Sequence, residues 1–302
     1  MTWPTAPAVT VGARPALSPI VAGAWRMAEW GLSVQDRLRW IEDNLALGVS
    51  SFDHADIYGN YAVESLFGQA LAHAPGLRQR IQIVSKCGIK LVSPSRPGQA
   101  IKHYDSSAAH VRASVEASLS ALGTDHLDLL LIHRPDALMD ADELAAVFGA
   151  LQREGKVGHF GASNFTPGQF ALLNRRWPLV THQVELSPLH LDPLHDGVLD
   201  QCQDLGLQPM AWSPLAGGRL FTRDDAAAQR VRDALGALAA ECQVSPTTVA
   251  IAWVLRHPSR PLPILGSRRA QVTADAVAAL DLVLDRSQWY RVWSAATGHE
   301  VP

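Results

Sequence analysis

Cysteine is scarce in this chain: Cys87, Cys202 and Cys242 are the three in 302 residues, an odd number at unrelated spacings. They form neither a disulfide framework nor a C-x-x-C metal pattern, so a reducing cytoplasm and no bound metal are expected. No run approaches the roughly 18 apolar residues that a membrane-spanning helix needs. Met1-Thr2-Trp3-Pro4-Thr5-Ala6-Pro7 has neither a charged n-region nor an apolar h-region, so no secretion signal is expected. Charge is also limited. With 18% charged residues and a formal net charge of −3, the chain lacks the basic face that nucleic acid requires. There is no internal repeat. Finally, Gly23-Ala24-Trp25 follows the first apolar segment where an open dinucleotide-binding sheet usually shows G-x-G-x-x-G.

What is present is a hydrophobic content of 47%, ordinary for a globular protein. A short hairpin is expected at Val9–Arg14. Thereafter short apolar segments alternate with helical periodicity. The expected strands are Pro19–Trp25, the run into Asp53, Ile81–Lys86, Leu127–Ile132, Val157–Ala162, Leu179–Gln183, Gln208–Ser213 and Leu262–Leu265. Leu127-Asp128-Leu129-Leu130-Leu131-Ile132 is nearly continuous in its hydrophobicity, which means burial on both faces, as in a parallel sheet. Helices are expected between them: Ser33 caps Val34–Leu47, Thr166-Pro167 opens another, and Ala274–Leu284 and Gln288–Ala295 close the chain. Ile89–Tyr104 reads as a loop without its own elements, long enough to suspect function. Eight such units predict an α/β fold of the (β/α)₈ barrel type, one domain over residues 1–302.

On this framework the notable polar residues fall at the ends of successive strands: Asp53, Lys86, His133, Ser163 with Asn164, Gln183, Trp212 with Ser213, and Gly266 with Ser267. Barrel enzymes build their sites on that one rim. The densest stretch is Ser51-Phe52-Asp53-His54-Ala55-Asp56-Ile57-Tyr58-Gly59, where an apolar strand runs into four ionisable groups. A tyrosine near a lysine is pulled toward its phenolate by the ammonium, and a carboxylate holds that lysine in place. His54 and Asp56 are read as support, Arg134 and Asp136 as a loop ion pair, and Cys87 as a buried strand residue.

Asp53-x-Ala55-Asp56-x-Tyr58-Gly59, Lys86 closing a strand, His133 after Leu130-Leu131-Ile132, Gly161-Ala162-Ser163-Asn164-Phe165 and Trp212-Ser213-Pro214-Leu215 together resemble the aldo-keto reductase superfamily, over about Leu17 to the C-terminus. The wording is most similar to a bacterial oxidoreductase branch. The resemblance implies a nicotinamide cofactor, usually NADPH, and reduction of aldehydes and ketones to alcohols. It implies Tyr58 as proton donor, Lys86 and Asp53 tuning it, and His133 orienting the carbonyl. It carries Ser163, Asn164 and Gln183 onto the nicotinamide carboxamide and Trp212 onto the ring. Ser213, Pro214, Leu215, Gly217, Gly218 and Arg219 would follow the pyrophosphate, and Gly266, Ser267, Arg268 and Arg269 the adenosine end.

Two departures bear on the cofactor. Val272 replaces an arginine common in the family, and Ala276 falls where an asparagine usually contacts adenine. NADPH is the expectation, resting on Arg268 or Arg269, with NADH open. Trp25, Trp30, Tyr61 and the Ile89–Tyr104 loop are the expected substrate pocket. The expected partner is a small carbonyl compound, not nucleic acid or membrane, with the protein a monomer or weak homo-oligomer. Two other readings are weighed: a Schiff-base aldolase using Lys86, and a nicotinamide-sensing subunit without turnover.

Overall fold

A computed structural model describes residues 15–302; the expected hairpin at Val9–Arg14 lies outside them. The apolar segments form β1 (Val21–Gly23), β2 (Ser51–Asp53), β3 (Gln82–Cys87), β4 (Ile89–Lys90), β5 (His103–Tyr104), β6 (Leu127–Ile132), β7 (Val157–Ser163), β8 (His182–Glu185), β9 (Met210–Trp212) and β10 (Leu262–Leu265). Eight of these, all but β4 and β5, close into a parallel barrel in the order β1-β10-β9-β8-β7-β6-β3-β2. The (β/α)₈ expectation holds.

Side chains alternate across each strand, and this decides what faces the barrel interior. On β3, Val84 packs inside with Val21, Leu129, Leu131, Met210, Leu262 and Ile264. Its neighbours Ile83 and Cys87 join the larger layer between strands and helices. Cys87 is 1% exposed there, as expected of a buried strand residue. The same alternation turns Lys86 inward and Ser85 outward. On β6, Leu130 and Ile132 face the helices.

The helices are capped by residues the sequence marks. Ser33 accepts from Asp36 N at the start of α1 (Val34–Ala46). α2 (Val63–Leu71) and α3 (Ala108–Leu122) follow, and α3 is capped by Ser107. Asp105 Oδ1 accepts from the Ser107 amide and hydroxyl, holding the cap from outside the helix. Thr166 and Gln169 form a reciprocal capping box around Pro167. Near the C-terminus the helix expected from Ala274 begins at Ala270.

A strand and a loop expectation need correction. β8 begins at His182, not Leu179, and runs on to Glu185. Gln183 is therefore inside the barrel rather than at the strand's end. The Ile89–Tyr104 loop is not devoid of elements: Ile89 pairs with Tyr104 and Lys90 with His103, antiparallel. Two-residue strands carry no readable period.

Helix α2 lies close on α3 because Gly68 has no side chain. A Cβ there would run into the Ala121 carbonyl and the Leu122 backbone, neither of which can swing aside. Gly68→Ala is expected to destabilise by about 1–3 kcal/mol, although alanine favours helix, because overpacking outweighs propensity. Urea denaturation measures this, and a gain in stability would contradict the packing.

Candidate active site

At the C-terminal rim of the barrel a cleft of about 900 Å³ opens along the ends of the strands. Its floor is a compact polar group. Lys86 Nζ donates to Asp53 Oδ1 at 2.8 Å and Oδ2 at 2.7 Å, to the His54 carbonyl at 2.7 Å and to Tyr58 Oη at 3.0 Å. Four acceptors surround a side chain that is 1% exposed. Such a buried ammonium persists only with a paired carboxylate and satisfied protons. Gln183 Nε2 donates to Asp53 Oδ1 at 2.8 Å from across the barrel, fixing the carboxylate from its other side. The His133 ring stands edge-on to Tyr58 with 5.9 Å between centroids. The four expected rim residues thus meet.

Electrostatics set their protonation. Burial pushes the Lys86 ammonium down, but Asp53 and Tyr58 outweigh it and leave its pKa raised. For Tyr58 burial wins over the pull of Lys86, so the phenol lies above its ordinary range. The expected lowering by Lys86 is present but smaller than the burial effect. Burial, then Lys86, Arg134 and Lys102, hold His133 well below the usual imidazole range. At neutral pH the group is a protonated tyrosine, a lysine cation and a neutral histidine.

The flanking residues sort as the strand alternation dictates. His54, next to inward Asp53, turns outward and packs edge-on against Phe67 at 4.4 Å. Neither of its ring nitrogens has a partner, and burial, then Lys86, depresses its pKa to about 3. Its backbone, not its ring, serves the site. Burial, then Glu64, raises Asp56 to about 8. Behind the rim Ser85 donates to Glu64 at 2.6 Å. Arg134 and Asp136 do not form the expected pair. Asp136 accepts from Ser106 N and Oγ, while the Arg134 guanidinium lies 5.9 Å from the Trp212 ring centre.

His54 makes acid sensitivity measurable. Its folded pKa lies below its unfolded value, so between pH 6.5 and about 3 the unfolded chain binds the extra proton. Stability is unaffected above that window and is lost as pH falls through it, by up to about 1.4 kcal/mol per pH unit. His182, also depressed to about 3 by burial, acts in the same direction. His54→Leu removes two unpaired polar atoms from an apolar site. It is expected to stabilise by about 1 kcal/mol at pH 7.5 and by more at pH 5. Denaturation midpoints at the two pH values test this, and an unchanged difference between them would refute it.

The rest of the cleft collects most of the other expected residues. Ser163, Asn164, Gln183, Trp212, Ser213, Pro214, Leu215, Gly217 and Gly218 line it, as do Gly266, Ser267, Arg269 and Trp25. Asn164 Nδ2 donates to Ser163 Oγ at 2.7 Å, and Trp212 Nε1 donates to Asn164 Oδ1 at 3.0 Å, locking the indole. Asn164, Ser213 and Asn60 adopt positive φ of 58°, 52° and 56°. Non-glycine residues held in this region of backbone space cluster where a site constrains the chain. A Cβ at Gly218 or Gly266 would meet nothing within 4 Å, so both backbones are open to an approaching group.

Four expected residues lie off the cleft. Arg219 donates to the Ala216 carbonyl at 2.9 Å and reaches Glu185. Arg268 donates to the Trp30 carbonyl at 3.1 Å. Trp30 packs on Trp40 with 5.3 Å between centroids. Tyr61 accepts from Leu91 N at 2.9 Å, beneath the Arg96 guanidinium. Val272 lines the cleft, whereas Ala276 is fully buried and cannot reach a ligand. His182 stacks on Phe170 and accepts from Phe165 N at 3.0 Å, a structural task. Arg26 and Phe221, not singled out from the sequence, line the cleft, as do Arg134, expected only in a loop ion pair, and Lys102, which lies in the Ile89–Tyr104 loop expected at the pocket. Only the barrel's closure and the β4–β5 pair bring them there, and no local pattern marks them.

A closed parallel barrel with a polar cluster at its C-terminal rim defines a class of enzyme fold, and comparison with known proteins narrows it. The family model described as aldo/keto reductase family matches residues 19–296. The chain belongs to this family and is an oxidoreductase. It is 52% identical to oxidoreductase YdhF of Escherichia coli over 291 residues, covering 95% of this chain and 96% of that protein. It is 44% identical to a 6-dehydroglucose reductase of Agrobacterium fabrum, covering 94% and 96%. Among solved structures, the glycerol dehydrogenase of Gluconobacter oxydans superimposes with a TM-score of 0.79 at 25% identity, over 97% of this chain and 94% of that one. A thermostable aldo-keto reductase shares the fold with a TM-score of 0.76 at 23% identity, over 92% and 95%. Among the described residues no single helix is long and apolar enough to cross a membrane.

Proposed function

We propose that this single-domain barrel reduces the carbonyl of small aldehydes or ketones to an alcohol, using NADPH. The observation that carries the reading is the Lys86 ammonium, bound at once to Asp53 and to Tyr58 Oη. Side chains supply no hydride, and a nicotinamide cofactor is what donates it. The cleft fits such a group: amide and hydroxyl groups at Asn164 and Ser163, an aromatic face at Trp212, open backbone at Gly218 and Gly266, and a guanidinium at Arg269. Arg269 favours a 2′-phosphate. Gln183 holds Asp53 as well as facing the cleft.

Tyr58 then gives its proton to the carbonyl oxygen as negative charge develops there. Its raised pKa keeps it protonated before reaction, and the adjacent ammonium steadies the phenolate that results. Neutral His133 donates a hydrogen bond to the same oxygen and orients it. Asp53 keeps Lys86 charged and in place. The relative named 6-dehydroglucose reductase supports a carbonyl substrate. Arg26 and Trp25, also on the cleft, border the pyrophosphate segment, where Arg26 donates to the Gly217 carbonyl at 3.1 Å.

The test is direct. Purified protein mixed with NADPH and 4-nitrobenzaldehyde is expected to consume the cofactor's absorbance at 340 nm, faster than with NADH. Absence of both turnover and NADPH binding would overturn the reading. Borohydride trapping of substrate on Lys86 without nicotinamide would favour an aldolase instead.

A further inference from the structure

Charge at the mouth of the cleft is one-sided. Arg26, Lys102, Arg134 and Arg269 line it, and Asp53 is its one carboxylate among the described residues. Asp53 is already neutralised by Lys86 on its floor. Arg269 lies beside Ser267 and Arg26 on Gly217, at the end and the middle of the proposed cofactor track. Lys102 and Arg134 line the cleft together with Tyr58 and His133, both near His133 and Arg134 near Tyr58 as well.

Neither has an acidic partner among the described residues. Asp105, the acid nearest Lys102 in sequence, is taken by Lys90 at 3.3 Å and by Ser107. Asp136, two residues from Arg134, is taken by Ser106 and by Leu138 N. Both cations are close enough to His133 to oppose its protonation. Arg134 is held over Trp212, so it stays at the reacting end rather than ranging into solvent. Two unpaired cations converging on one cleft repel each other and any third cation, and attract an anion.

We propose that the physiological substrate is an anionic carbonyl compound, whose carboxylate or phosphate is bound by Lys102 and Arg134 while its carbonyl faces Tyr58 and His133. The proposal rests on the carbonyl-reductase reading above and specifies its substrate class. Guanidinium and ammonium divide the work. Arg134 offers a planar fork for two oxygens, and Lys102, on a flexible stem at the cleft mouth, a mobile point charge.

The experiment compares matched substrates at saturating NADPH: 4-formylbenzoate against its methyl ester, and glyceraldehyde 3-phosphate against glyceraldehyde. Expected is a higher kcat/KM for the anionic member of at least one pair. The pair that shows it distinguishes carboxylate from phosphate. The preference should fall by about tenfold in Lys102→Gln, invert in Lys102→Glu, and shrink as salt rises from about 20 to about 300 mM. Lys102 is exposed, so these variants spare the core. Reduction of the neutral members with no anionic preference, or a preference unchanged in Lys102→Glu and Arg134→Gln, overturns the proposal and leaves the reductase reading standing. Failure to reduce any of the four overturns both.

Discussion

Tyr58→Phe is expected to lower kcat by about a thousandfold or more while leaving the dissociation constant for NADPH within a few-fold of wild type. The substitution removes one oxygen from a ring that otherwise keeps its place, 5.9 Å from His133 and with Lys86 Nζ 4.9 Å from its centre. General acid catalysis by a positioned side chain contributes roughly 10²–10⁴ in rate. The lost hydroxyl also leaves Lys86 without one of its acceptors, so the deficit should lie toward the upper end. Single-turnover kinetics with NADPH fluorescence separates the two parameters. A variant that retains turnover would require another proton donor at the rim, and would remove Tyr58 from the mechanism proposed here.

The second large effect is on folding. Asp53→Asn is expected to cost about 3–5 kcal/mol and to abolish turnover, because it leaves a fully buried ammonium without its carboxylate. Charge is the issue rather than shape, since asparagine fills the same space and can still accept from Gln183. The double variant Asp53→Asn/Lys86→Met is therefore expected to be more stable than the single one, yet equally inactive. Stability then recovers when the charge imbalance is removed, while chemistry does not. Chemical denaturation of the three proteins decides this, and a double variant less stable than Asp53→Asn would refute it.

Much of this site was legible in the sequence because strands announce their ends. Asp53, Lys86, His133, Ser163 and Trp212 each close or follow an apolar run, and a parallel barrel brings all such ends to one rim. Inward or outward orientation followed from period two, which separates Asp53 from His54. Contacts that depend on closure across the barrel were not legible. Gln183 reaches Asp53 from the far wall, and neither residue's neighbours in sequence signal it. Lys102, in the loop expected at the pocket, and Arg134, expected to pair with Asp136, were not read as partners for a related reason. A loop lysine and an arginine after a strand look like ordinary solvated charges until the β4–β5 pair carries one toward the other. Trp30 and Tyr61 failed in the opposite direction. Both are aromatic and close in sequence to the rim, but their partners at Trp40 and Leu91 hold them away from the cleft.

Strand β1 sits between β2 and β10, and Val21 pairs with Ile264, almost the whole chain away. During synthesis, therefore, β1 waits with one edge bare until β10 has been made. Contacts this distant in sequence slow the search for the native state, and a bare parallel edge is adhesive in the meantime. The proposed Lys86, Asp53 and Tyr58 group comes from the early half of the chain and can assemble first. The Gly266–Arg269 wall of the cleft cannot, and a polypeptide stalled before β10 would hold most of the chemistry without a closed vessel to perform it in.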